Sequence, residues 1–97
     1  MKLRYTAEAV ENLTDIAVYL HKRNPLAAVK IGAEIAFTVE RVGKFPFSGR
    51  AQDAPNVRKA VTLAYGYLVY YLVNEAEDAV DILAVQHPAQ NREFKNA

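Results

Sequence analysis

Nine side chains in the second half of the chain could bind an anion or carry a proton: Arg50, Arg58, Lys59, Tyr65, Tyr67, Tyr70, Tyr71, His87 and Arg92. An arginine can grip a phosphate or carboxylate with two parallel N–H groups. A histidine exchanges a proton near neutrality, because its unperturbed pKa is about 6.5. Other chemistries are thinly supplied. The absence of cysteine excludes thiol nucleophiles, disulfides and Cys-ligated zinc. His21 and His87 are the only histidines, and no His/Asp/Glu spacing resembles a metal-ligand set. No Walker-type phosphate loop or dinucleotide fingerprint occurs. The single serine, Ser48, lies between Phe47 and Gly49, which is not a nucleophile elbow. No metal and no cofactor are expected.

Each candidate also has an ordinary role. Arg58 could pair with an acid across the sheet, such as Asp81 or Glu75. Tyr70 and Tyr71 fit a core position with a satisfied hydroxyl. His87, just before Pro88, could simply hydrogen-bond the backbone at a strand end.

These residues must be positioned by the elements around them. Lys2 to Tyr5 reads as a short first strand. Thr6 can cap a helix by accepting an orphan N–H of the first turn. Ala9, Leu13, Ile16, Ala17 and Leu20 then recur at helical spacing, so helix one is expected over roughly Ala7 to Lys22. Asn24-Pro25 restarts a helix, since proline at the first helical position loses nothing by lacking an N–H. Ala28, Ile31, Ile35, Val39 and Val42 form its buried stripe, and it stops near Gly43 before Pro46. Gly32 lies inside this helix at a cost of about 1 kcal/mol against alanine. Close approach of helix one is the expected compensation. The short connection makes the two helices an antiparallel hairpin.

Residues Phe47 to Pro55 read as a loop. Three β-prone stretches follow, Val57 to Leu63, Tyr67 to Val73 and Ala79 to Gln86. The middle one is apolar on both faces and should be the central strand. Short joins make the neighbours antiparallel. Alternation puts Tyr67, Val69, Tyr71 and Val73 on one face and Leu68, Tyr70 and Leu72 on the other. In the preceding strand, Val57, Lys59, Val61 and Leu63 form the expected core face, which turns Arg58 to the open face. Lys59 is then expected near the strand edge, with its amine reaching solvent. The fold class is therefore α+β: an N-terminal strand, a two-helix antiparallel hairpin, then a three-stranded antiparallel sheet, in one domain spanning 1–97.

The composition agrees with one small soluble domain. The chain has 97 residues, with 52% apolar and 24% charged residues and a net charge of +1. Bulk charge gives no reason to expect nucleic acid, but its distribution is uneven. Arg41, Lys44, Arg50, Arg58 and Lys59 face only Asp53 in their stretch, whereas Glu75, Glu77, Asp78 and Asp81 form an acidic stretch with no base. No apolar run approaches the ~20 residues that span a bilayer, so no membrane partner is expected. Met1 to Thr6 lacks the apolar core of a secretory signal. A cytoplasmic location is the expectation.

Taken in order, several short stretches resemble the RelE/ParE superfamily of bacterial toxins from type II toxin–antitoxin modules. They are Ile16-Ala17-Val18-Tyr19-Leu20, Asn24-Pro25-Leu26-Ala27-Ala28, Phe45-Pro46-Phe47-Ser48-Gly49-Arg50, Val57-Arg58, Tyr65-Gly66-Tyr67-Leu68-Val69-Tyr70-Tyr71 and Ile82-Leu83-Ala84-Val85-Gln86-His87. The resemblance covers nearly the whole chain and implies the fold just derived. It implies a cytoplasmic toxin that arrests growth and is neutralised in a complex with a cognate antitoxin protein. Members follow one of two routes: RelE-like proteins cleave mRNA on the ribosome, and ParE-like proteins inhibit DNA gyrase without being nucleases.

In the nuclease branch the resemblance gives catalytic roles to Arg58, His87 and Arg50. The set is incomplete here. Gln90 stands where an arginine is expected after His87, with Arg92 two residues on. Phe94 replaces a proton-donating aromatic, and the loop offers Asp53 but no Glu. The resemblance is therefore more ParE-like. It implies target binding through Arg50, Arg58, Lys59, His87 and Arg92, with DNA gyrase as partner and the ribosome with mRNA as the alternative. A third alternative is a non-toxic module that keeps only antitoxin binding.

Overall fold

Two polar side chains frame the helices. In the computed structural model, which describes residues 1–89, Thr6 Oγ1 accepts the Ala9 N–H at 3.1 Å and opens α1, Ala7–Arg23. The same hydroxyl donates to the Leu83 carbonyl at 2.9 Å, which ties the start of the helix to the sheet. Asn24 closes α1 through its N–H to the Leu20 carbonyl and opens α2, Pro25–Lys44, by accepting the Ala27 N–H at 3.1 Å. One residue thus satisfies orphan groups of both helices, which permits the tight hairpin.

The sheet is larger than the three strands expected. Among the described residues it has five, β1 (Lys2–Tyr5), β2 (Arg50–Ala51), β3 (Val57–Val61), β4 (Leu68–Asn74) and β5 (Ala79–Gln86), in the order β1-β5-β4-β3-β2. β1 joins β5 in parallel and the other pairs are antiparallel. Sequence periodicity could not reveal the parallel partner, because the α hairpin carries the chain back across the sheet before β5 exists. β2 is only two residues long and lies inside the expected loop. It forms because Arg50 and Ala51 meet Lys59 and Arg58 across an edge.

The helices cover one face of this sheet. Ala9, Ile31, Ile35, Val39 and Val42 pack on Tyr67, Val69, Tyr71, Val73, Val80, Ile82 and Val85, with Leu13, Ile16 and Leu20 at the margin. Leu68, Tyr70 and Ala84 form a smaller buried cluster on the other face. The two faces of β4 are those expected. A bulge between Tyr70 and Tyr71 adds Leu83 to β5, and Asn12 Oδ1 accepts the Val85 N–H just beyond it.

The face assignment of β3 is reversed from expectation. Arg58 pairs with Tyr71 and Ala60 with Val69, and directly opposed residues point to the same side of a sheet. Arg58 and Ala60 are therefore on the helix-covered face, and Lys59 and Val61 are not. Val61 and Leu63 are exposed, the latter at 82%. The core of β3 is set by its pairing to the strongly apolar β4, and its own weak alternation yields. Gly32 also departs from expectation. A Cβ built there meets nothing within 4 Å, so no close helix contact compensates for its cost, and Ala17 is exposed as well.

Candidate functional site

The cations concentrate where α2 ends against the β2–β3 edge. Arg50 and Lys59 are directly opposed, and Arg58 lies beside them on the other face. Lys59 is half-buried, but it is not at the sheet edge expected for it: Arg50 pairs with it on one side and Tyr70 on the other. Among the described residues none of these three has a carboxylate within ion-pair distance. Arg58 does not reach Asp81 or Glu75. Its Nη1 donates instead to the carbonyls of Phe47 at 3.1 Å and Gly49 at 2.8 Å, and its guanidinium lies 5.2 Å from the Phe47 ring centre. Carbonyl partners engage Nη1 without cancelling the charge.

Tyr71 holds the same loop from beneath. It is fully buried, its hydroxyl donates to the Pro46 carbonyl at 2.7 Å, and it accepts the Gly49 N–H at 2.9 Å. Burial pushes the Tyr71 phenol up, offset in part by the Gly49 N–H, the Arg58 charge and the Ser48 hydroxyl. It stays protonated and serves as a strut. Gly49 is required here because a Cβ would collide with that hydroxyl and lie 2.9 Å from the Lys59 carbonyl.

Beside the loop is a cleft of about 240 Å³ lined by Phe37, Thr38 and Arg41 of α2, Ser48 to Arg50, and the β3 edge. Glu34 closes one end. Burial alone would raise its carboxyl, but N–H groups of Tyr65 and Ala64 and the Thr62 hydroxyl outweigh this and hold it below the usual range. It thereby fixes the β3–β4 turn, where Gly66 takes φ +69°. Tyr65 is on that turn and exposed, away from the basic cluster.

His87 is elsewhere. It follows Gln86, which opposes Leu68, whereas Arg58 opposes Tyr71. Four residues along a strand and two strands across put the two Cα atoms roughly 16 Å apart, from a rise of ~3.3 Å and a spacing of ~4.8 Å. His87 Nδ1 accepts the Ala89 N–H at 3.0 Å, and its ring meets Tyr67 edge-on at 5.3 Å. With Asp15, Ile16 and Tyr19 they line a separate depression. Burial, with Tyr19 nearby, pushes the Tyr67 phenol up. The candidates thus divide into Arg50, Arg58 and Lys59 at one end and His87 at the other. Arg92, Gln90 and Phe94 lie outside the described residues. The sequence offered Phe45 and Phe47 only within a stretch of family resemblance and Phe37 not at all, and none as a site residue, yet all three are more than half exposed. Two phenylalanines flanking Pro46 just past a helix end were the available signal.

Comparison with known proteins gives a consistent result. The family model described as the ParE toxin of type II toxin–antitoxin systems, parDE, matches residues 3–92. The Y4kP protein of Sinorhizobium fredii, whose name classes it with toxins, is 30% identical over 89 residues, 92% of this chain and 90% of that one. The structure of a chromosomal ParDE system from P. aeruginosa superposes with a TM-score of 0.75 at 21% identity, covering 90% of this chain and 95% of that chain. The intact E. coli RelBE toxin–antitoxin complex gives 0.60 at 15% identity, covering 89% and 94%. At those identities the superpositions speak for the fold.

Proposed function

The chain belongs to the ParE toxin family of type II toxin–antitoxin systems, and from that premise we propose that it is a growth-arresting toxin that inhibits DNA gyrase by binding it. The observation that carries this reading is the separation of the candidate groups. Metal-free RNA cleavage needs a base, an acid and a charge stabiliser converging on one phosphate. Here the strand arginine holds a loop by its carbonyls, and the histidine lies roughly 16 Å away by strand geometry. A cluster of cations with no carboxylate partner among the described residues, beside exposed aromatic rings, suits docking onto an acidic protein surface better than chemistry on a phosphodiester.

The toxin is neutralised by a cognate antitoxin in a hetero-oligomer. An apolar groove of about 250 Å³ runs between the helices, lined by Leu13, Ile16, Leu20, Ile35 and Val39, with Gly32 on its wall. It can receive apolar side chains of the antitoxin while acidic residues meet the basic edge. Among the described residues no helix is long and apolar enough to cross a membrane. The expected place of action is the cytoplasm, where gyrase is.

The test is a supercoiling assay with purified toxin. Gyrase activity should fall as toxin is added and return with antitoxin. Normal supercoiling at excess toxin would overturn the proposal. Codon-boundary cuts in translated mRNA, lost on Arg58→Ala, would establish the nuclease route instead. Unaffected growth without antitoxin would point to a module that only binds antitoxin.

A further inference from the structure

The loop from Phe45 to Arg50 combines two properties that rarely meet in a connection. Its side chains face outward: Phe45 is 61% and Phe47 54% exposed, and Arg50 is exposed too. Its backbone is nevertheless fixed at nearly every residue. The Phe45 carbonyl accepts from the Ser48 hydroxyl at 2.7 Å and the Ser48 N–H at 3.1 Å. The Pro46 carbonyl and the Gly49 N–H are held by the Tyr71 hydroxyl, and the Phe47 and Gly49 carbonyls by Arg58. Fold stability alone would favour burying those rings. A rigid backbone presenting exposed aromatics and an arginine is instead the arrangement that lowers the entropic cost of binding.

We infer that this loop is the target-contact element, with Phe47 and Arg50 making the contact, and that Arg58 is a positioning residue that acts through the loop and does not itself touch the target. The occupant is an acidic protein surface with an apolar recess for the Phe47 ring. Around the loop Arg41, Lys44, Arg50, Arg58 and Lys59 outnumber Glu34, Glu40 and Asp53, and Lys44 lies 3.8 Å from Glu40, so the described charges there are net positive. The inference rests on the reading of the chain as a toxin that acts by binding.

The experiment compares the wild-type toxin with Phe47→Ala, Arg50→Ala, Arg58→Ala, Arg58→Lys and Tyr71→Phe. Two readouts are taken: half-inhibitory concentration on gyrase, and growth arrest on induction without antitoxin. Thermal unfolding and Gly49 amide exchange are followed in parallel. Phe47→Ala and Arg50→Ala should each raise the half-inhibitory concentration at least tenfold at unchanged melting temperature. Arg58→Ala and Tyr71→Phe should raise it as much while releasing the Gly49 amide to exchange, with Tyr71→Phe also lowering the melting temperature, and Arg58→Lys should fall between. The triple variant Phe47→Ala/Arg50→Ala/Arg58→Ala should be no weaker than Phe47→Ala/Arg50→Ala, because Arg58 then has no contact left to position.

Wild-type potency for both Phe47→Ala and Arg50→Ala would overturn the inference. So would a triple variant weaker than Phe47→Ala/Arg50→Ala by the full Arg58→Ala factor, since Arg58 would then touch the target itself. If the wild type arrests growth but leaves supercoiling intact, gyrase is the wrong target, and the same ranking of variants in growth arrest decides the loop. A wild type that does neither overturns both.

Discussion

Two strand arginines meet opposite fates. Arg4 on β1 is gripped by carboxylates: its Nε and Nη2 donate to Asp81 at 2.6 and 3.1 Å, and its Nη1 to Glu77 at 2.9 Å. Arg58 on β3 is gripped by carbonyls. Both arginines hold neighbouring groups, yet among the described residues only Arg4 has carboxylate partners. Hydrogen bonding and charge compensation are separate requirements, and a site can meet the first while leaving the second for a partner. The Arg4 corner closes the parallel β1–β5 edge as structure. The Arg58 corner stiffens a loop and stays electropositive. The acidic stretch that had no base in sequence finds one 73 residues earlier in the chain.

The contrast can be broken most severely at Gly49. Gly49→Ala forces a methyl group against the buried Tyr71 hydroxyl and the Lys59 carbonyl, and such overpacking costs about 1–3 kcal/mol. Denaturant unfolding should show that loss together with loss of growth arrest. An unchanged midpoint would mean that the loop is not pinned. Tyr71→Phe should follow, at about 1–2 kcal/mol, because two loop groups lose their partner. The same measurement checks it, and growth arrest should weaken with it.

The Arg4 corner sharpens the comparison through pH. Hydrogen bonds from Arg4 hold the Asp81 and Glu77 carboxyls below the usual carboxylate range. Their contribution is therefore complete above the unfolded values of about 4 and is lost as pH falls through the lower folded values. Asp81→Asn should destabilise at pH 7 by about 1 kcal/mol or less, since the pair is partly solvated. The gap from wild type in thermal melts should close below about pH 4. A gap independent of pH would remove the ion pair as its cause. The smallest effect is Arg50→Ala, expected within about 0.5 kcal/mol in stability. A larger loss would make Arg50 part of the fold and remove the contrast.

The helices were legible because their signals are local. Thr6, Asn24 and Pro25 act within one turn, and the stripe Ile31, Ile35, Val39 and Val42 is buried as its spacing demands. The faces of β4 were legible for the same reason, since every residue from Leu68 to Val73 is apolar or aromatic and either register buries it. The candidate site was legible as a list of residues and not as an arrangement. Arg50, Arg58 and Lys59 came together through an edge pairing of two residues, and His87 was carried just past the end of β5, two strands away from Arg58.

By itself, then, the sequence determined the helix limits, the central strand with its two faces, the absence of thiol chemistry and a middle segment rich in cations. Only the tertiary structure decided which way Arg58 points. The alternation of β3 favoured one face, and pairing with Tyr71 imposed the other, because a strand's register is fixed by the neighbour that buries more apolar surface. The same long-range pairing decided that Arg4 is neutralised and that the Phe45–Arg50 loop is held still. Those contacts join residues tens of positions apart, and no local spacing encodes them.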